Sequence, residues 1–279
     1  MIPNMVEESL WTPADGEAVK RCRAAVNEHD LATALLEVEH VNGSMQDTGL
    51  ATLGRWADEV RAGLKTSSEV VRVLQEVLVE RHGLKGEGED FYDPRNCYLT
   101  EVIARRRGMP ILLSSIWLIV ARMVGIEAHG IGMPGHFIIR VGSAGRGQLI
   151  DPFGGGRALS IDRCATIVNR LSGLDWDPDF LSATSDESIV TRVARNLQIC
   201  HHRRKARMKL YRMARFNALL MNHCPAAQLL HGQVAEMIDL EPLAVPIYRA
   251  LINEHPKTSE AKVALDRIRA LEFEGPDVH

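Results

Sequence analysis

Between Pro110 and Gly125 the chain reads PILLSSIWLIVARMVG. The run is apolar on nearly every side. A helix with one apolar stripe lies on a surface, whereas one that is apolar all round has to be enclosed. The run is shorter than the roughly 20 residues that span a bilayer, and Ser114, Ser115 and Arg122 interrupt it. The enclosure therefore comes from the rest of the chain, and the fold is expected to be built around this segment. Proline's fixed φ and missing N–H suit the first helical position at Pro110, and Gly125 is placed to stop the helix.

The neighbouring segments supply the cover. Residues from about 15 to 84 hold three helical patterns, ATALLEVEHV, LGRWADEVRAGL and SSEVVRVLQEVLVERHGL. Thr66, Ser67 and Ser68 are cap candidates for the third, and Gly83 stands at its stop. GEGEDFYDPRN reads as a turn-rich connection, and YLTEVIARRRG as a short helix ending at Gly108. Beyond the central helix, HFIIRV and GQLID flank the turn GSAGR and predict a hairpin. One strand begins at His136, its partner ends at Asp151, and Pro152 fixes the exit. A short helix follows around Ile161 to Leu171. The expectation is an α+β fold, with a buried central helix against a small antiparallel sheet.

LSGLDWDPDFLSATSDES is acidic and turn-rich, and places a boundary near residue 185, giving units 1–185 and 186–279. The second unit reads as helical. Within it Ala244, Tyr248, Leu251, Pro256 and Ala261 have the spacing of a helical-hairpin repeat. A lone helix pair cannot bury its faces, so this tail has to stack on what precedes it.

Formal net charge is -3 for the whole chain. Yet Ile189 to Ala235 contains no acid, while Arg192, Arg195, Arg203, Arg204, Lys205, Arg207, Lys209, Arg212 and Arg215 all fall inside it. The remainder then carries about -12, an asymmetry that suits an acidic partner surface or the chain's own acidic half. Tyr211 and Phe216 are the rings of that stretch, which gives little support to nucleic-acid binding. Cys22, Cys97, Cys164, Cys200 and Cys224 are odd in number and form no CxxC pair, so a reducing, cytoplasmic setting is expected. The N-terminal residues lack the apolar core of a signal peptide. His201 and His202 are adjacent, and Gly154 to Gly156 lack a following Lys-Ser/Thr, so neither a metal site nor a phosphate loop is expected, and no cofactor.

His136 and Asp151 on neighbouring strands make two thirds of a Cys/His/Asp triad. Taken with YDPRNCYL, RRRGMPILLS, MPGHFIIRV, IDPFGGG and the helical tail, they resemble the SirB-type transglutaminase-like proteins. The resemblance implies a core related to the transglutaminase and papain-like folds, followed by a tetratricopeptide-like tail. In active members of the wider group the nucleophilic cysteine starts the central helix as GxC, about 15 residues before the closing Gly. Counted back from Gly125 that position is Pro110, in Gly108-Met109-Pro110. A helix start favours a thiolate and offers free N–H groups to an oxyanion, and proline supplies no thiol. The resemblance also implies that an Asp orients the imidazole through Nδ1–H.

Replacement nucleophiles are few. Ser114 and Ser115 lie a turn inside the helix, where a hydroxyl ordinarily bonds a preceding carbonyl. Cys97 lies 13 residues upstream and could swing toward His136. The His–Asp pair reads either as a strand-holding contact or as a binding or general-base site working through water. Arg105, Arg106 and Arg107 read as core-pairing residues, with carboxylate or phosphate reception as the other option. The first expectation is a non-catalytic domain that binds a protein or peptide, the partner being acidic in one version, with no membrane. The alternative is a cysteine-class hydrolase or acyltransferase using His136 and Asp151 with a displaced nucleophile such as Cys97.

Overall fold

The computed structural model describes residues 10–43, 49–143 and 145–273. Helix α1 (Pro13–Asn27) opens on a capping box, in which Thr12 N–H donates to Asp15 at 2.8 Å. Helices α2 (Leu31–Val41), α3 (Gly49–Gly63) and α4 (Val70–Gln75) follow, the last running into a π-helical segment, Glu76–Arg81. Its cap is Glu69 rather than the expected Ser/Thr side chains, and Ser67 Oγ instead accepts the Glu69 N–H. Gly83, at φ +71°, ends it as expected.

Strand β1 (Lys85–Gly86), a 3₁₀ turn (Pro94–Cys97), α5 (Leu99–Arg105) and β2 (Arg107–Gly108) lead into the central helix α6 (Pro110–Met123). Helix α5 stops at Arg105, three residues before the expected Gly108, because Arg106 turns left-handed at φ 62°. Gly108 serves a different purpose. A Cβ there would come within 2.7 Å of Val102, so its absence lets β2 pass close to α5. Every residue of α6 from Ile111 to Ala121 is buried, and Gly125 (φ +77°) stops the helix.

The sheet contains β3 (Ala128–Ile131), β4 (Ile138–Val141), β5 (Gln148–Asp151), β6 (Arg157–Leu159) and β7 (Ala183–Thr184), in antiparallel order β6-β5-β4-β3-β7. The β4–β5 hairpin lies at its middle. The first of these strands starts at Ile138, not at His136. Pro134-Gly135 form a turn with Gly135 at φ +75°, and His136 N–H closes it on Met133 O at 3.2 Å, which takes His136 out of the ladder. The strands the sequence did not reveal have two to four residues each, too few to show alternation. In β3, Gly130 sits where a Cβ would come 2.9 Å from the Phe137 ring.

Helix α7 (Ile161–Ser172) covers the sheet's outer face, packing Cys164, Ile167 and Val168 on Ile131, Ile138 and Leu149. The tail is α8 (Asp186–Arg203), α9 (Arg207–Leu220), α10 (Pro225–Met237), α11 (Glu241–Glu254) and α12 (Ser259–Phe273). One hydrophobic cluster joins Trp117 and the α6 core to Ile189, Val193, Leu197 and Phe216, so α8 and α9 bury apolar area against the central helix. A second cluster, with Tyr211, Val234, Tyr248 and Ile268, unites the later helices. Among the described residues no helix is long and apolar enough to cross a membrane.

Candidate functional site

The turn before β4 fixes His136 from several sides. Arg192 Nη2, from α8, donates to the carbonyls of His136 (2.9 Å) and Met133 (3.0 Å). The imidazole Nε2 lies 3.0 Å from Asp151 Oδ1, and the ring meets Phe153 edge-on at 6.0 Å. His136 is 7% exposed. The structure thus brings His136 and Asp151 together, through Nε2 and not through the Nδ1 that the resemblance implied. The ring sits in the turn, so its far nitrogen is the one that reaches the end of β5. With the carboxylate as acceptor, Nε2 is the donor of this contact.

The glycines after Asp151 make room for this pair. A Cβ on Gly154 would stand 2.7 Å from Asp151 Oδ2, and one on Gly156 2.7 Å from the Trp117 ring. Gly156 also needs its positive φ of +73°. The loop shapes the carboxylate's seat.

His136 faces a cavity of about 280 Å³ whose walls include Pro110, Ile111, Phe137, Arg192, Asn196 and Ile199. Pro110 therefore lines the same space as the imidazole. Among the described residues that line it none is Cys, Ser, Thr, Asp or Glu, and the side-chain hydroxyl there is that of Tyr92. Ser114 Oγ donates to Phe137 O at 3.2 Å and Ser115 Oγ to Ile111 O at 2.8 Å, so both hydroxyls are engaged in the core. Cys97 is outside this lining. Its Sγ donates to Met109 Sδ at 3.1 Å, and burial, with the Cys200 thiol beside it, pushes its thiol well above the usual range. Burial likewise raises Cys22 to about 12 and Cys164 to about 11.

The arginine triplet is absorbed by the core. Arg105 donates to Asn96 Oδ1 at 3.2 Å, Arg107 is 3.7 Å from Glu87, and Arg106 stacks 4.6 Å over Trp56. Several basic residues of the tail meet the chain's own groups: Arg204 with Asp90, Arg207 with Asp239, Arg212 with Asp15, and Arg203 over Tyr92. Among the described residues no three His, Cys, Asp or Glu side chains gather as metal ligands.

The sequence reading assigned Arg192 to the basic stretch and passed over Asn196. Both enter the cavity because α8 packs on the core. The signal available in the sequence was their spacing: 192, 196 and 199 share one helix face.

The sequence model of the transglutaminase-like superfamily matches residues 47–195. A UPF0162 protein of Xylella fastidiosa is 36% identical over 125 residues, 43% of this chain and 44% of that protein. A UPF0162 protein of Pseudomonas aeruginosa is 30% identical over 175 residues, 61% of this chain and 63% of the relative. F-box only protein 21 of Mus musculus is 30% identical over 115 residues, 38% of this chain and 18% of that protein. The alignments thus span less than two thirds of these relatives. No solved structure matches.

Proposed function

The chain belongs to the transglutaminase-like superfamily, and we propose that it is a non-catalytic member, of SirB type, that works by binding a protein or peptide at the His136 cavity. The observation that carries this reading is that Pro110 and His136 line one cavity in which, among the described residues, no thiol is present. Catalysis of the cysteine class requires a nucleophile within hydrogen-bond reach of its base. Cys97, the candidate substitute, has its sulfur against Met109 and Cys200. What remains is a fixed imidazole, a guanidinium and apolar walls, a combination suited to holding a ligand. The tetratricopeptide-like tail supplies a second surface in this reading. A cytoplasmic setting fits the five free cysteines.

The test is site-specific photo-crosslinking. Ile199 lines the cavity and is 48% exposed, so p-benzoylphenylalanine at 199 in the full chain reports on the cavity mouth. Irradiation in the expressing cell is expected to give a discrete polypeptide adduct, competed by excess wild-type protein. The same probe at Leu174, 49% exposed and outside that lining, should not give it. Identical adducts from both positions, or His136-dependent turnover of an acyl donor, would overturn the reading.

A further inference from the structure

The His136 cavity contains a cation with unengaged donors. Arg192 bonds two backbone carbonyls through Nη2 alone, and its guanidinium plane meets Phe137 at 5.4 Å. Among the described residues its hydrogen-bond partners are these two carbonyls, and no acid lines the cavity. A guanidinium presents five N–H donors in a planar fork; among the described residues Nη1, which stands beside Gly132, and Nε make no hydrogen bond. Asn196, one helical turn further along α8, makes no hydrogen bond through its carboxamide among the described residues and lines the same space. Ile111 supplies a third donor, a first-turn N–H that a helix leaves without an internal partner. The positive end of the α6 dipole points the same way. Asp151, the acid beside the site, is taken by His136.

Burial lowers the Arg192 pKa, which is the cost of a cation drawn from water without a counter-charge. An anion would reverse that cost and use the idle donors at once. The remaining walls decide what carries it. Met109, Pro110, Ile111, Phe137 and Ile199 are apolar, and a space of about 280 Å³ is the size of one or two residues. An internal Asp or Glu would bring its carboxylate without an apolar group to cover these walls. A chain end brings both.

We propose that the cavity holds the C-terminal residue of a peptide with an apolar side chain, its α-carboxylate on Arg192 and Asn196 and its side chain against Phe137 and Ile199. The inference rests on the binding function proposed above and names the ligand class of that site.

The experiment uses the full chain and N-terminally fluorescent hexapeptide pools, random except for a last residue fixed as Leu, Phe, Lys or Asp. Each pool is prepared as free acid and as amide, and binding is read by fluorescence anisotropy. The Leu and Phe acids are expected to bind at least tenfold more tightly than their amides. Arg192→Gln should bring that ratio to about one. Because Arg192 also holds two carbonyls, a charge pair at Ile199 is the independent test: Ile199→Glu and Ile199→Lys lose the same apolar contact, so their difference isolates charge, and the Glu variant should bind the free-acid pools about tenfold more weakly than the Lys variant does. The amides should respond alike to the two substitutions. An acid-to-amide ratio near one in every pool, or a ratio unmoved by both Arg192→Gln and Ile199→Glu, overturns the inference. Amidated pools with an internal Glu that match the free acids overturn the choice of a chain end. Silence of all pools while the Ile199 crosslink forms removes the carboxylate inference and leaves peptide binding standing; silence of both removes both.

Discussion

Replacing Pro110 by Cys tests the site geometry through the chemistry of the introduced thiol. Pro110 is at the first position of the 14-residue helix α6 and lines the same cavity as His136. Loss of proline's fixed φ at such a position costs about 0.4–1 kcal/mol through the unfolded chain, so the variant should fold. An ordinary thiol titrates near 8.5. The helix terminus favours the thiolate by about 0.3–2 kcal/mol, or roughly 0.2–1.5 pK units at 1.36 kcal/mol each. An imidazolium in the same cavity contributes roughly another 1–3 units, and partial burial acts in the opposite direction. The thiol should titrate near 6. At pH 6 that gives on the order of a hundredfold more thiolate than an ordinary cysteine. The lower intrinsic nucleophilicity, with a Brønsted slope of about 0.4–0.5, returns a factor of roughly 15. The net gain at pH 6 is then only about tenfold, so the midpoint of the rate against pH is the sharper readout. Iodoacetamide labelling followed by peptide mapping should give a midpoint near 6 that moves up by more than one unit in Pro110→Cys/His136→Ala. A midpoint at 8–9, indifferent to His136, would refute the placement of Pro110 in the imidazole's cavity.

Gly154→Ala puts a Cβ 2.7 Å from Asp151 Oδ2. It should destabilise by about 1–3 kcal/mol and break the His136–Asp151 contact, visible as a changed His136 ring-nitrogen NMR pattern; an unaltered pattern would count against the seat assigned to Gly154. Glu39 is 2% exposed and accepts hydrogen bonds from the Thr100 N–H and hydroxyl, but burial dominates and lifts its carboxyl to about 7. Since the folded value exceeds the unfolded one, its contribution is present at low pH and lost as pH rises from about 4.5 through 7, on the order of 3 kcal/mol. Denaturant titrations of wild type and Glu39→Gln should therefore diverge between pH 5 and 8, and parallel curves would contradict the shift. His231, whose buried Nε2 finds no partner among the described residues, is lowered by burial to about 3. Its stability contribution is present above pH 6.5 and lost on acidification, about 2 kcal/mol by pH 5. His231→Leu should flatten that acid limb, and an unchanged limb would oppose the assignment.

The central helix was legible because enclosure follows from an all-apolar surface, and its ends were legible because Pro110 and Gly125 have strong local preferences. The His136–Asp151 contact could be anticipated from the hairpin, since GSAGR leaves few registers open. Its chemistry at the ring was not. Which nitrogen meets Asp151 depends on the Pro134-Gly135 turn, a backbone feature that shifts the strand start by two residues. The short strands carried too few residues for any period to emerge. Arg192 and Asn196 were hidden for another reason: they reach the site only because Ile189, Val193 and Leu197 on the same helix pack into the core around α6. The acidic linker marked a change in composition near residue 185, and composition does not record where the next helix docks.

In the proposed reading His136 and Asp151 have no nucleophile to activate. The most direct measurement is intact-mass spectrometry with peptide mapping of native wild type exposed to an activated-ester acyl donor, beside His136→Ala and Cys97→Ala. No adduct whose formation depends on His136 is expected. A fast acyl adduct on Cys97 or Ser114 that disappears in His136→Ala would contradict that reading.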